Sequence, residues 1–161
     1  MKEFETLYAL VEISVALAGF SAIVVLFKRG DSGSWLAADA NRFNGMLIHA
    51  MSAAFFCILP PLLSVFSTNE AVIWSIASSL LGVQIILHSA VVIWLAKATF
   101  LVRSSIFLAL GAVVLQFLNV AEIHYSREFR PYLAGVLWHL IQAAVLFVNL
   151  IWVRALDTQS D

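Results

Sequence analysis

Five long apolar runs, over residues 7–27, 43–66, 71–95, 104–121 and 132–153, fill most of the chain. Each is close to the ~20 residues an α-helix needs to cross a hydrocarbon layer about 30 Å thick. Five transmembrane helices are therefore predicted, joined by short polar segments. Polar or ionisable residues interrupt all five: Glu12, His49, Gln84, His88, Gln116, Asn119, His139, Gln142 and Asn149. Such groups are costly against lipid, so they must face one another, water or a ligand.

Helical spacing gathers these residues into narrow faces. In the fourth run Ser105, Ala109, Ala112, Gln116 and Asn119 recur at steps of four and three, and in the fifth Gly135, His139, Gln142, Leu146 and Asn149 do the same. Gln84 and His88 are i,i+4 neighbours in the third run. Gly45, His49 and Ser52 line one side of the second, and Glu12, Ala16 and Gly19 one side of the first. Small and polar groups on one face are what lets membrane helices pack closely.

The connections carry turn chemistry. Residues 28–42 form the longest, opening on Lys28-Arg29-Gly30-Asp31, and Ser34 is placed to cap a helix beginning at Trp35. Asp39 and Arg42 are then in i,i+3 reach. Ser67-Thr68-Asn69-Glu70 is a tight turn, making the second and third helices an antiparallel hairpin. Pro60 and Pro61 lack the N–H groups that would bond the carbonyls of Phe56 and Cys57, so the second helix should kink or end early there.

Composition narrows the class further. The chain is 62% hydrophobic and 12% charged, where soluble domains carry about a quarter charged residues. No connection is long enough for a separate soluble domain, so residues 1–161 form a single membrane unit. A net charge of −1 argues against a nucleic-acid partner, which calls for a basic face. Cys57 is the only cysteine, which excludes an intrachain disulfide and a Cys-rich metal cluster. The start, Met1-Lys2-Glu3-Phe4-Glu5, lacks a secretory signal's basic region, so the first run is expected to stay as a membrane helix.

Charge also predicts orientation. Lys2, Arg127 and Arg130 fall on one side, and Lys28, Arg29, Arg42, Lys97, Arg103 and Arg154 on the other. The second set is expected in the cytoplasm, with the N-terminus outside and the C-terminus inside. Tyr8, Trp74, Tyr125 and Tyr132 then lie near the outer interface and Trp35, Trp94 and Trp152 near the inner one, as an aromatic belt requires. Trp138 is a turn or two deeper.

Depth groups the ionisable residues into two layers. Counting from the ends of the apolar runs at a 1.5 Å rise, Glu12 and His139 each lie about 8–10 Å below the outer boundary. His49 and His88 lie about 10 Å above the inner one, with Gln84 and Gln142 between the layers. Carboxylate–imidazole layers linked by amides suit a proton relay or cation path, with Lys28, Arg29 and Arg42 shaping the cytoplasmic mouth. The expected protein is thus a homo-oligomeric ion channel or transporter of a bacterial inner membrane. The competing expectation is a non-catalytic interaction or assembly subunit, its amides serving only as interhelical glue and a second membrane protein as its partner.

A third reading makes His49 and His88 the axial ligands of a b-type haem, since they share a depth on different helices. No compact His/Asp/Glu motif marks a metal site. Gly-rich nucleotide loops, a G-x-S-x-G elbow and an HExxH motif are all missing from the sequence, which gives an enzyme no support. The charged segment from Glu122 to Arg130 has the character of a solvated cap.

Overall fold

All five apolar runs fold as helices, and most extend past the run that predicts them. The structure is a computed structural model describing residues 2–32, 37–95, 100–123 and 127–157, with side chains over 2–26, 40–94, 104–123 and 127–151. The helices are α1 (Lys2–Ser32), α2 (Ala37–Ser64), α3 (Glu70–Leu95), α4 (Phe100–Val120) and α5 (Phe129–Asp157). No strand occurs among the described residues. Four of them, α1, α2, α3 and α5, are long and apolar enough to cross a membrane. The fifth, α4, is shorter at 21 residues, or roughly 31 Å of axis. The fold is the predicted all-α membrane bundle.

Helix ends differ from the apolar boundaries for identifiable reasons. A helix does not stop where its hydrophobic run stops, because Lys and Arg are good helix formers and one Gly costs only about 1 kcal/mol. Accordingly α1 continues through Lys28, Arg29 and Gly30 to Ser32, and α2 is already helical at Ala37. Most of the 28–42 connection is therefore helix rather than loop; the Ser34 cap falls outside the described residues. The tight turn before α3 is present, with the Asn69 side-chain Oδ1 accepting from the N–H groups of Ala71 (3.0 Å) and Val72 (3.4 Å).

Pro60 and Pro61 do not end α2 early, since the helix runs through both to Ser64. The vacancy they create is filled from another helix: the Tyr132 hydroxyl of α5 donates to the Phe56 carbonyl at 2.5 Å, and Tyr132 is fully buried. A side-chain donor thus replaces the backbone N–H that Pro60 lacks.

Packing is centred on α2, which lies against α1, α3 and α5, while α3 and α4 form a second close pair and α4 also meets α5. The core joins Phe56, Leu59, Trp74, Leu81, Tyr132 and Val136. Close approach is built in at Gly135, where an added Cβ would stand 2.6 Å from the Leu81 Cδ2 and 2.9 Å from the Gln116 Nε2. By contrast α1 is peripheral. In its most apolar stretch 11% of residues are buried, against 50% in α2. Its inward line is Leu7, Ser14 and Ser21, at seven-residue spacing. Both serine hydroxyls bond back to their own helix, at Leu10 O (2.7 Å) and Ala18 O (2.5 Å).

Candidate functional site

Three helices deliver the buried histidines to one place. His49 comes from α2, His88 with Gln84 one turn before it from α3, and His139 beside Trp138 from α5. His139 is fully buried, His49 is 4% exposed and His88 is half-buried. The ring centroids of His49 and His88 are 4.5 Å apart and those of His49 and His139 5.3 Å. Trp138 packs against all three imidazoles, at 5.2, 6.2 and 4.7 Å from His49, His88 and His139. Its indole N–H is buried without a hydrogen-bond partner.

Hydrogen bonding fixes the chemistry of the centre. His139 Nε2 is 2.8 Å from Gln84 Oε1, and His139 Nδ1 is 3.0 Å from His49 Nδ1. An amide oxygen only accepts, so His139 carries its hydrogen on Nε2 and offers a lone pair at Nδ1. His49 must then donate from its own Nδ1. Gln84 is held in turn by its Nε2–H, directed at the Ser52 hydroxyl at 3.4 Å. Two imidazoles sharing one hydrogen between facing nitrogens make a site where a proton can be exchanged. Gln84 orients that site but is not itself a proton carrier.

The other sequence-marked residues divide by what they touch. Asn119 joins three elements: its Nδ2 donates to Ser78 Oγ (2.9 Å) and to the Glu128 carbonyl (3.0 Å), and its Oδ1 accepts from the Glu128 N–H (2.7 Å). Gln116 Nε2 donates to the Pro131 carbonyl at 2.7 Å, while its Oε1 has no partner. Both amides therefore tie α4 to the start of α5, beside a turn in which Glu122 and Arg127 take positive φ values of 58° and 54°. Gln142 is buried, Asn149 and Arg42 are half-buried, and the side chains of Lys28 and Arg29 lie outside the described residues.

The two expected layers are not what the bundle builds. His49 and His88 do meet, but His139 joins them instead of pairing with Glu12. Counted from the true helix starts, Glu12 and His139 are each ten residues in, about 15 Å. Their depths match and their faces do not. Glu12 stands about 160° round α1 from the inward Ser14, at roughly 100° per residue, and is exposed.

The same geometry decides the haem reading. Axial imidazoles stand on opposite sides of a porphyrin plane, whereas His49 and His88 touch edge to face at 66° with Trp138 against both. The residues do not fit the group. Among the described residues no set of three His, Cys, Asp or Glu side chains is placed to hold a metal ion. Two contributors escaped the sequence reading. Trp138 had a signal, its position below the aromatic belt; Ser78 had none, because its role depends on Asn119 of another helix.

No protein-family model, no curated protein and no solved structure matches this chain.

Proposed function

We propose that this small multi-pass membrane protein handles protons, with His49, His88 and His139 as the proton-binding centre of a channel or transporter of the cell membrane. The observation that supports this is the 3.0 Å contact between the Nδ1 atoms of His49 and His139, oriented by Gln84. Imidazole is the side chain whose charge changes most readily near neutral pH, and ionisable groups inside membrane helices mark ion and proton routes by default. Gln84 supplies the second element such a site needs, a neutral partner that sets which ring nitrogen is free. Glu12 has no part in this centre, because it lies on the opposite face of a peripheral helix.

The test is proton flux into liposomes, read with an entrapped pH dye, for the wild-type chain and for His49→Gln and His139→Gln. Flux in the wild type and its loss in both variants is the expected result. Absence of wild-type flux across several pH values and voltages would sink the reading. The alternative, an assembly subunit, draws support from Gln116 and Asn119, whose hydrogen bonds all go to tying helices together. A stoichiometric membrane partner that co-purifies with a flux-inactive chain would favour it.

A further inference from the structure

The end of the bundle where α1, α3 and α5 begin holds a cavity that lies apart from the histidine centre. Its volume of about 350 Å³ is within the roughly 300–1,000 Å³ of small-molecule sites. Trp74, on its wall, precedes Gln84 by ten residues on α3, about 15 Å along the axis. The charges of the lining are Glu3 of α1, Glu70 of α3, and Arg127, Glu128 and Arg130 at the start of α5. Arg127 is already engaged, with its Nε 3.0 Å from the Glu122 carboxylate. Among the described residues, Glu3, Glu70, Glu128 and Arg130 form no ion pair. Acids in the first turn of a helix offset its dipole, which accounts for Glu3 and Glu70. It does not account for Trp74. That side chain is 3% exposed, held among Phe4, Phe129 and Tyr132 at ring distances of 6.4, 5.5 and 5.7 Å. Among the described residues nothing accepts a hydrogen bond from its indole N–H, a donor that usually finds a partner when buried. Unlike the sealed indole N–H of Trp138, it is left open to the cavity.

We propose that this cavity binds a small zwitterion, a molecule with an ammonium group close to a carboxylate or phosphate. The Trp74 N–H and the Arg130 guanidinium are donors with no acceptor among the described residues, and three helix starts add positive partial charge, so the site calls for an oxyanion. The carboxylates of Glu3, Glu70 and Glu128 only accept, and they call for a cation carrying several N–H donors. A lone anion would face three carboxylates and a lone cation would leave the Trp74 and Arg130 donors unmet. A zwitterion pairs with both sets at once. This chemistry has two sources, a free amino acid and an ethanolamine lipid headgroup, because the ends of membrane-spanning helices lie at headgroup depth. The proposal is independent of the proton reading and uses none of its residues.

Calorimetric titration of the full chain in a non-ionic detergent tests the site. Alanine and glycerophosphoethanolamine serve as zwitterions, ethylamine and propionate as single-charge probes. At least one zwitterion should bind about tenfold or more tighter than either single-charge probe, the size of one charge-assisted hydrogen bond. Binding of alanine alone identifies a free amino acid as the source, and binding of glycerophosphoethanolamine alone a lipid headgroup. Arg130→Gln and Glu70→Gln, both at exposed positions, should each weaken zwitterion binding by about tenfold or more. Trp74→Phe keeps a ring in the core but removes the N–H; it should weaken zwitterion binding and leave ethylamine binding unchanged, a split that general loss of structure does not produce. No binding of either zwitterion, single-charge probes bound as tightly, or unchanged affinity in both Arg130→Gln and Glu70→Gln would each overturn the proposal.

Discussion

Replacing Tyr132 by Phe removes one oxygen, and the structure predicts both the cost and how to cancel it. The lost hydroxyl is the donor to the Phe56 carbonyl, at 2.5 Å, in a fully buried setting. Pro60 cannot supply the backbone N–H that would otherwise serve that carbonyl. The variant therefore leaves a buried acceptor bare, which costs about 1–3 kcal/mol. A value near 2 kcal/mol corresponds to a roughly thirtyfold fall in the ratio of folded to unfolded chain, taking 1.4 kcal/mol per tenfold. In Pro60→Ala the helix regains the N–H, so Tyr132→Phe in that background should cost about 0.5 kcal/mol or less. Pro60→Ala also removes buried ring contacts, but that loss is common to both arms and drops out of a double-mutant cycle. Reversible unfolding in mixed micelles, followed by tryptophan fluorescence and far-UV circular dichroism, gives the four free energies. A Tyr132→Phe cost that is the same in both backgrounds would refute the assignment of Tyr132 as the substitute donor.

Three further outcomes are expected. Gly135→Ala places a Cβ 2.6 Å from Leu81 Cδ2 and should destabilise by about 1–3 kcal/mol; Gly111→Ala, in open space, should be neutral or gain up to about 1 kcal/mol, with both read from the same unfolding titration. Asn119→Ala breaks three hydrogen bonds and should cost about 2–4 kcal/mol at roughly 1 kcal/mol each plus the unpaired Glu128 backbone; hydrogen exchange at the Glu128 amide should rise with it. Gln84→Leu removes the partner of His139 Nε2 and should slow proton flux about fivefold, equivalent to roughly 1 kcal/mol, while leaving helix content unchanged.

The helices were legible because membrane spans are set by length and hydrophobicity, both written directly in the chain. Their ends were not, since Lys28, Arg29 and Gly30 prolong α1 at little cost beyond its apolar run. Within the site, the convergence of His49 and His88 followed from equal depth on different helices. The error at Glu12 has the same root. Depth is one coordinate, and rotation about the helix axis is a second that spacing on a single helix leaves open. Only the packing of α1, through Leu7, Ser14 and Ser21, fixes that rotation, and a stripe of alanine and glycine looks alike whether it meets its own bundle or another chain. The polar amides show the same limit. Gln116 and Asn119 sit on one face as predicted, but apart from Ser78 their partners are backbone atoms of Glu128 and Pro131 at the start of α5, which no side-chain pattern reveals.

The tie between α4 and α5 also bears on how the chain enters the bilayer. Gln116 and Asn119 find partners at Pro131 and Glu128, residues made only after α4 itself. Until those residues emerge, the shortest of the five helices carries Gln116 without its Pro131 partner and Asn119 with only Ser78 of α3 to bond. The physics favours delaying its commitment to lipid until the next helix is synthesised, so that the two leave the insertion machinery together as a closed hairpin. A ribosome-bound chain truncated before residue 128 should accordingly hold α4 in a protected or interfacial state, and one extended past α5 should release it.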